Sequence, residues 1–291
     1  MNGISVVIVC YKSELELRGL IESIFFHADV PLHQLQIIVI DNYGNGLERV
    51  ITDDLSKQYE SEFIYIKSDL NGGYGAGNNI GINLAKFDIV CVVNPDVRFI
   101  KPMFRKVISE FGKNSKLLAL SGEQISSTKN SYFIRPEFQL PIIKAILGRY
   151  LRYIGGFHAR FMALSGALTF YEKTLFADIG KFDESIFLYC EESDVSIRAH
   201  RARLEIAYFH EVKYVHLDWD RAAPSIDTIK YLLSSVSYYE KKHKISCKGY
   251  FLAGWVHFYL RYVWLLLRGK SDKVDDLKKV ISIYKATYKG E

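Results

Sequence analysis

Acidic side chains cluster at Glu191, Glu192 and Asp194, just after the run Phe187-Leu188-Tyr189 and at the start of a helix-like stretch that ends at Arg203. Clustered carboxylates repel one another, which raises the proton affinity of at least one of them toward the range in which a general base works. The alternative is that these acids only complement the dipole of a helix that starts near residue 191. We take Glu191, Glu192 and Asp194 as the catalytic candidates.

The turn Asn94-Pro95-Asp96 follows a very apolar strand, and its proline fixes the backbone so that the Asp96 carboxylate points outward. A single carboxylate suits a hard divalent cation, Mg²⁺ or Mn²⁺, whose other ligands are diphosphate oxygens and water. A plain β-turn is the alternative. His216 follows another apolar strand and is a second metal or phosphate candidate, against the alternative of a structural histidine.

A segment rich in glycine and asparagine, residues 71–81, precedes a predicted helix. Glycines let the backbone approach a ligand, and a helix N-terminus offers unpaired N–H donors to an anion. A flexible turn is the alternative. The nucleotide-binding candidates in this segment are Asn71, Gly72, Gly73, Gly77 and Asn78.

These side chains must be positioned by the surrounding strands and helices. Over the first 120 residues, β-branched apolar runs alternate with amphipathic segments, which predicts βαβ units and a mostly parallel sheet. In such a sheet the carboxyl ends of the strands share one edge, where ligands bind. Farther on, we predict strands at 164–171, 205–209 and 212–217 and helices from 191 and from about 226. The predicted early strands are 4–9, 36–40, 63–66 and 88–93, with helices near 14–27, 46–60 and 76–86.

Composition favours a folded protein: of 291 residues, 49% are hydrophobic and 24% are charged. The net charge of +5 is modest and the basic residues form no single stripe, so we expect no nucleic-acid partner. The four cysteines lie far apart without a CxxC pair, which indicates neither a zinc site nor a disulfide framework. With no secretory signal after Met1, a cytoplasmic location is expected.

Two segments combine basic and apolar residues. Residues 144–160 interleave cations with apolar side chains, which suggests an acceptor or lipid-diphosphate contact or, equally, a solvated amphipathic helix. Residues 249–268 are apolar nearly all round, with His257, Arg261 and Arg268 on one stripe. We expect a helix in the plane of an anionic membrane surface, with burial in a homodimer or against the core as the alternative.

Taken together, the motifs resemble those of the family 2 glycosyltransferases of the GT-A fold, and within them a rhamnosyltransferase-like group that builds bacterial surface polysaccharides. The similarity covers about residues 3–245. It rests on ISVVIVCYKSELELRGLIESI from residue 4, the pair Asp41-Asn42, NGGYGAGNNIGINLA at 71–85, VNPDV at 93–97, SGALTFYEKTLFADIGKFDESIFLYCEESDVSIRAHRA at 165–202 and VKYVHL at 212–217.

The resemblance implies roles for single residues. Tyr11 and Asp41 would contact the base and ribose of a nucleotide sugar, with Asn42 beside them. Asp96 matches the metal-binding acid of a DxD-like motif whose first acid is here Asn94. Glu192 matches the catalytic base, although most relatives carry the shorter Asp. The remaining matches are Asp194 and Arg198 in the same helix, and His216 near the metal and diphosphate.

The fold that this resemblance implies is α/β and Rossmann-like, a GT-A domain over 1–225 with a nucleotide-binding half to about 120 and a catalytic and acceptor half from 121. A C-terminal helical appendix covers 226–291. The implied reaction is inverting sugar transfer from dTDP-rhamnose or a UDP-sugar to a glycan or polyprenyl-diphosphate-linked acceptor, at the inner face of the bacterial cytoplasmic membrane. The alternatives are a sugar-phosphate nucleotidyltransferase and a non-catalytic sugar-nucleotide-binding scaffold.

Overall fold

The computed structural model describes residues 3–44, 46–59, 61–125, 131–139, 156–217, 225–268 and 274–289. They form a mixed sheet with flanking helices, followed by a helical C-terminal region. The strands are β1 (Ile4–Cys10), β2 (Leu35–Asp41), β3 (Glu62–Lys67), β4 (Ile89–Val93), β5 (Val97–Phe99), β6 (Leu117–Gln124), β7 (Tyr132–Ile134), β8 (Met162–Leu164), β9 (Leu168–Glu172) and β10 (Glu205–His216). The helices are α1 (Glu14–Phe26), α2 (Leu47–Gln58), α3 (Gly73–Leu84), α4 (Phe104–Lys113), α5 (Lys173–Asp178), α6 (Glu191–Arg201), α7 (Ile226–His243), α8 (Lys248–Leu267) and α9 (Val274–Lys289).

The central sheet has eight strands in the order β3-β2-β1-β4-β9-β6-β10-β5. The first four pair in parallel, β9 runs antiparallel between β4 and β6, and β10 is parallel to β6. Register pairs Cys10 with Asp41 and Asp41 with Lys67, so the carboxyl ends of β1, β2 and β3 stand level. The predicted shared edge for the polar loops is therefore present.

Both faces of the parallel half are covered, as the continuous apolar runs predicted. Alternate residues of β1 enter two different cores: Val6 and Ile8 pack in the cluster that contains Leu20 of α1, and Val7 packs in the cluster that contains Ile82 of α3. All of them are nearly or fully excluded from solvent. This two-sided burial fixes the direction of β1 and hence the position of the loop that follows it.

The second half of the sheet differs from the sequence prediction. The single strand predicted at 164–171 is two strands, because the chain passes at residues 165–167 from a two-stranded sheet of β7 and β8 into the central sheet at β9. The two strands predicted at 205–209 and 212–217 are one strand, β10, with a register shift between Phe209 and Lys213. Gly122 on β6 makes room for this bulge, since a Cβ there would lie 2.0 Å from the carbonyl oxygen of Val212.

The sequence analysis did not assign α4 or β6. The signal for α4 was available, because Phe104, Val107 and Phe111 are buried at the spacing of one helix face. Strand β6 carries Ser121 and Gly122 in its second half, which weakens its apolar pattern. Its position in the sheet is fixed by pairing with β9 and β10, which come much later in the chain.

Helix α3 begins at Gly73, earlier than the predicted start near 76, so most of the glycine-rich segment is helical. Its glycines bring the helix close to β1. A Cβ on Gly77 would lie 2.9 Å from Cγ1 of Val9, and one on Gly81 would lie 2.4 Å from Cγ1 of Val7. The glycines therefore allow α3 to pack closely on β1, and they also form the turn that precedes α3.

The C-terminal helices share a core with α6. Ile229 and Val236 of α7, Phe251 of α8 and Tyr284 of α9 are buried in one cluster with Ile197 of α6. The predicted appendix is thus packed against the helix that carries the clustered acids. Among the described residues, no helix is long and apolar enough to cross a membrane.

We expect Gly81→Ala to lower the free energy of unfolding by about 1–3 kcal/mol, because the added methyl overlaps the fully buried, β-branched Val7. Urea denaturation measures this. Gly112→Ala is the matched control: it is a helical glycine with no atom within 4 Å of the added Cβ. It should stabilise the protein by about 0.5–1 kcal/mol, and equal effects at the two sites would contradict the packing argument.

Candidate active site

A cavity of about 400 Å³ lies at the carboxyl edge of the sheet. Asn94 after β4, Gly166 before β9, Glu192 at the start of α6 and His216 at the end of β10 all line it. Its other walls include Tyr74, Phe133, Pro136, Leu188, Tyr189, Glu191, Leu232, Val236 and Tyr250. Residues separated by more than a hundred positions in sequence thus meet at one site, which has a polar floor and a largely apolar and aromatic wall.

Glu192 lies against the backbone at Gly166. A Cβ on that glycine would be 2.2 Å from Oε1 of Glu192 and 2.9 Å from the Tyr74 hydroxyl, which donates to the Gly166 carbonyl at 2.7 Å. A side chain at this position would displace the Glu192 carboxylate, and the sequence analysis did not single Gly166 out. Burial raises the pKa of Glu192, and hydrogen bonds from its own backbone N–H and that of Gly166 offset part of this rise.

The neighbouring Glu191 is 2% exposed, and its Oε1 has no hydrogen-bond partner among the described residues. Burial and the adjacent charge of Glu192 raise the pKa of Glu191 well above its ordinary value. Like charges this close do not ionise together readily. The pKa is raised further at Glu191 than at Glu192, so of the two carboxylates Glu191 takes up a proton first.

Asp194 does not line the cavity. Its carboxylate is fully buried and accepts hydrogen bonds from Nε of Arg198 at 2.8 Å and from Nζ of Lys242 at 2.5 Å, and Nε2 of His243 lies 2.7 Å away. Burial alone would raise the pKa of Asp194, but these partners outweigh it and lower the pKa to about 2. This buried cluster of Asp194, Arg198, Lys242 and His243 joins α6 to α7.

Arg198 is also turned away from the cavity. Its guanidinium donates to the backbone carbonyls of Ile179 and Lys181, besides its ion pair with Asp194. The structure therefore places two of the predicted site residues in a scaffold behind the cavity. Lys242 and His243 were missed by the sequence analysis, because nothing local to α7 marks them as partners of an acid 48 and 49 residues earlier.

Asp96 and His216 form a pair at the cavity. Oδ1 of Asp96 lies 3.0 Å from Nε2 of His216, and the backbone N–H of Leu217 donates to the Asp96 carbonyl at 2.9 Å. The Asp96 carboxylate is only 14% exposed and faces the histidine rather than pointing outward as predicted. Because His216 and Glu192 line the same cavity, the metal candidates and the base candidate are brought together.

The residues at this pair fit a cation that is shared with a substrate. A carboxylate oxygen and an imidazole nitrogen already stand within hydrogen-bond distance and could turn to one ion. The described residues contain no group of three or more side chains suited to hold a metal. A diphosphate and water would complete the coordination. Arg98, also missed by the sequence analysis, holds the turn by donating to the carbonyls of Pro95 and Val97 at 3.0 and 2.7 Å.

An exposed aromatic pair stands at the ends of β1 and β2. The ring centroids of Tyr11 and Tyr43 are 5.4 Å apart in an edge-to-face arrangement, and Nζ of Lys12 lies 4.7 Å from the Tyr43 centroid. The sequence analysis found Tyr11 but not Tyr43. Two exposed rings beside an ammonium can receive a flat base and an anionic group.

Asp41 is fully buried beneath this pair. One carboxylate oxygen accepts from the backbone N–H groups of Tyr43 and Gly44 at 2.9 and 2.6 Å, and the other accepts from the Tyr65 hydroxyl at 2.7 Å. The structure thus gives Asp41 a role in shaping the loop that presents Tyr43.

The glycine-rich segment joins the nucleotide half to the loop before α6. Nδ2 of Asn42 donates to the Gly73 carbonyl at 3.1 Å, and Oδ1 of Asn71 accepts from the Gly73 N–H at 3.1 Å. Gly73 has φ +86°, and a Cβ there would lie 2.0 Å from the Phe187 carbonyl oxygen, which accepts from the Tyr74 N–H at 3.1 Å. Of the remaining candidates, Gly72 caps α3 and Asn78 donates to the Tyr74 carbonyl at 2.9 Å.

The predicted basic acceptor segment, 144–160, lies outside the described residues up to position 155. Its last residue, Arg160, stacks its guanidinium over the Phe161 ring at 5.6 Å. The Arg160 carbonyl accepts from Nη2 of the buried Arg135 at 2.6 Å. This end of the segment is therefore anchored beside the 3₁₀ turn Pro136–Phe138.

Comparison with known proteins assigns this arrangement to a family. The family model described as glycosyl transferase family 2 matches residues 5–171. The low-salt glycan biosynthesis hexosyltransferase Agl10 of Haloferax volcanii is 26% identical over 231 residues, which cover 74% of this chain and 67% of that protein. The poly-β-1,6-N-acetyl-D-glucosamine synthase of Staphylococcus epidermidis is 24% identical over 72% of this chain, and the match spans 48% of the synthase.

Solved structures with the same fold include a mannosyltransferase from Pyrobaculum calidifontis in complex with GDP-mannose and Mn²⁺. It is 13% identical, covers 99% of this chain and 86% of its own, and has a TM-score of 0.64. GalNAc-T7 with UDP, GalNAc and Mn²⁺ is 14% identical over 98% of this chain and 55% of its own, with a TM-score of 0.61. The predicted GT-A fold is confirmed.

The buried cluster around Asp194 predicts a pH-dependent stability. A pKa near 2 in the folded state, against about 3.9 in the unfolded chain, contributes about 2–3 kcal/mol that is present above pH 4 and is lost as the pH falls toward 2. We expect Asp194→Asn to destabilise the protein by about 3 kcal/mol at pH 7, because it removes the buried charge that Arg198, Lys242 and His243 share, while Lys242 keeps its ion pair with Asp183. By urea denaturation, the difference in free energy of unfolding between Asp194→Asn and the wild type should be about 2–3 kcal/mol smaller at pH 2 than at pH 7.

Asp227→Asn is the matched control, since the Asp227 side chain is 78% exposed and pairs with the exposed Lys230 at 3.3 Å. The free energy of unfolding of Asp227→Asn should stay close to that of the wild type at both pH values. A gap for Asp194→Asn that does not change with pH would contradict the lowered pKa.

Proposed function

The chain belongs to glycosyl transferase family 2, and on that premise we propose that it is an inverting, metal-assisted glycosyltransferase that uses a nucleoside-diphosphate sugar. The observation that carries the proposal is that Glu192 and His216 line one cavity at the carboxyl edge of the parallel strands, with Asp96 3.0 Å behind His216. A base and a diphosphate site on either side of one cavity are what a single displacement requires.

The donor is held by its nucleotide at the exposed ends of β1 and β2. The base stacks on the rings of Tyr11 and Tyr43, and Lys12 contributes positive charge beside them. The nucleotide is dTDP or UDP, and the sugar is rhamnose or a hexose. In support, the solved relatives hold GDP-mannose or UDP, so nucleoside diphosphates occupy this fold.

A divalent cation, Mg²⁺ or Mn²⁺, would be held by Asp96 and His216 and would supply positive charge to the departing diphosphate. Asn94 stands beside them at the cavity wall, where its neutral amide adds no charge. The cation affinity of the free protein is therefore low and rises when the donor binds. The Asn94-Pro95-Asp96 turn keeps its geometry through Arg98, so the carboxylate is oriented before the donor arrives.

Glu192 is the general base. Its carboxylate takes the proton of an acceptor hydroxyl while that oxygen forms a bond to the anomeric carbon and the bond from that carbon to the diphosphate oxygen breaks. Attack comes from the side opposite the diphosphate, so the configuration inverts. The proton ends on Glu192, and the electron pair leaves with the nucleoside diphosphate. Glu191, which stays protonated, keeps a second negative charge out of the site.

The acceptor enters along the apolar wall formed by Phe133, Leu188, Tyr189, Leu232 and Tyr250. Aromatic side chains of this kind bind the apolar faces of sugar rings. We assign the acceptor as a glycan or a polyprenyl-diphosphate-linked sugar of bacterial surface polysaccharide, such as O-antigen or capsule, at the inner face of the cytoplasmic membrane. Matches to glycan-building enzymes support this class of acceptor.

We expect Glu192→Gln to lower kcat by about 10²–10⁴-fold with nucleotide binding kept, because the amide fills the same space but cannot take a proton. The wild-type rate should rise with pH along an acid limb that lies above the ordinary pKa of glutamate, since the base must be ionised. Release of nucleoside diphosphate in the presence of acceptor measures both. Glu211→Gln, at an exposed position on β10, is the control and should leave kcat unchanged. Full transfer by Glu192→Gln would exclude Glu192 as the base.

Screening nucleotide sugars by thermal shift, with and without Mn²⁺ or Mg²⁺, tests the donor and the cation together. A donor at 100 times its Kd should stabilise the folded protein by about 2.7 kcal/mol. We expect Asp96→Asn to lose the cation-dependent part of this shift and to keep the part due to stacking of the base. A wild-type protein that neither binds nor transfers any nucleotide sugar would contradict the proposed function.

A further inference from the structure

Helix α8 leaves an unusual amount of apolar surface in contact with solvent. Of its 20 residues only Phe251 and Leu265 are buried, although the helix is made almost entirely of apolar and aromatic side chains. Leu267 is 83% exposed and Leu260 is 61% exposed. Tyr259, Trp264 and Leu266 are each about half exposed. Hydrophobic surface of this size on one element marks a site of contact with something else.

The exposed side chains occupy one side of the helix. At about 100° per residue, Tyr259, Leu260, Leu266 and Leu267 fall within an apolar arc of less than half the circumference. The opposite side carries the contacts that hold the helix in the protein, where the Phe258 ring lies 5.4 Å from the ring of Tyr284 on α9. The apolar arc is therefore not the face that packs on α9.

Cations border the arc along one edge. His257, Arg261 and Arg268 follow one another at helical spacing and are exposed. The Arg268 guanidinium stacks 4.1 Å above the Trp264 ring, which holds a positive charge beside the apolar arc. Residues 248–268 contain no aspartate or glutamate. The face thus combines apolar depth, an aromatic ring and positive charge.

We infer that the exposed face of α8 docks on an anionic lipid bilayer, with Leu260 and Leu267 in the boundary between headgroups and acyl chains and with Arg261 and Arg268 on lipid phosphates. Trp264 lies between these two sets, at the level that tryptophan prefers in membranes. In this arrangement α8 lies in the plane of the membrane surface.

Charge complementarity favours lipid over a second copy of the chain. A two-fold interface would set the same face of each copy against the other. Arg261 and Arg268 would then find no acid on the facing α8, since residues 248–268 contain none. An anionic bilayer supplies negative charge along the whole length of the helix.

The docking surface is joined to the cavity. Tyr250, in the first turn of α8, lines the cavity that holds Glu192, and Phe251 packs in the core that includes Cys190 just ahead of α6. Leu267 lies about 25 Å farther along the helix axis than Tyr250. A bilayer against α8 therefore sits at a fixed position beside the acceptor wall, where an acceptor carried on a lipid would arrive. Only this last step rests on the proposed function.

Sedimentation of the full chain with vesicles tests the surface. We expect binding to phosphatidylcholine vesicles that contain phosphatidylglycerol, weaker binding to phosphatidylcholine alone, and a loss of this difference at high salt. The double variant R261Q/R268Q should bind the anionic vesicles roughly 25-fold more weakly, because each cation near the surface contributes about fivefold. The double variant L260E/L267E should lose at least about a hundredfold.

The matched control is F26E/V50E, which places the same charges on apolar residues that are 84% and 66% exposed on α1 and α2. It should bind vesicles as the wild type does. Thermal unfolding and transfer to a short water-soluble acceptor should be unchanged in L260E/L267E, which separates loss of docking from loss of fold or catalysis. Vesicle binding without any sugar transfer would overturn the proposed function and leave the docking surface standing.

Equal binding to both kinds of vesicle, or binding that survives L260E/L267E, would overturn the proposed surface. The proposed surface would also be overturned if the wild type did not bind vesicles, was a dimer by light scattering, and became a monomer in the variant L260E/L267E. In that case the arc is an interface between copies of this chain.

Discussion

The close approach of backbone to its neighbours at Gly73 and Gly166 is the constraint on which the site depends. At Gly73 a Cβ would lie 2.0 Å from the Phe187 carbonyl, and at Gly166 it would lie 2.2 Å from the Glu192 carboxylate. These contacts draw the nucleotide half, the turn before β9 and the start of α6 together around one cavity. A side chain at Gly166 would displace the Glu192 carboxylate, and one at Gly73 would overlap the backbone of Phe187 just ahead of α6.

The surroundings of the acids on α6 shift their pKa values in opposite directions. Glu191 and Glu192 lie in a site poor in cations, so burial raises the pKa of both. Asp194, two residues on, is surrounded by Arg198, Lys242 and His243, and its pKa falls to about 2. The raised pKa gives Glu192 the proton affinity that we propose for a base. The lowered pKa keeps Asp194 ionised in the ion pairs that hold α6 on α7. The same contrast explains why clustering of charge alone does not identify a catalytic residue.

The C-terminal helices connect this site to the outside of the molecule. α7 supplies two partners of Asp194 and two side chains of the cavity wall, and α8 adds Tyr250 before it extends along the surface with its apolar arc exposed. The family model matches residues 5–171, which include the strands up to β9 and the turn at Asp96, whereas β10, α6 and these helices follow the matched residues. The part of the protein that we assign to the acceptor and its carrier thus lies outside the matched residues, together with Glu192 and His216.

The amino-acid sequence by itself determined the parallel half of the sheet, the shared carboxyl edge and the candidates Asp96, Glu192 and His216. The sheet, Asp96 and His216 follow from local periodicity and from the polar residues that come after strands, whereas Glu192 follows from the acids clustered at a helix start and from the family resemblance. Only the tertiary structure decided that Tyr43 joins Tyr11, that Gly166 supports Glu192 and that Asp194 faces Lys242 and His243. Side chains two positions apart on a helix are related by about 200° of rotation about its axis, so Glu192 and Asp194 face different surroundings. Those environments are built from elements that meet only when the chain has folded.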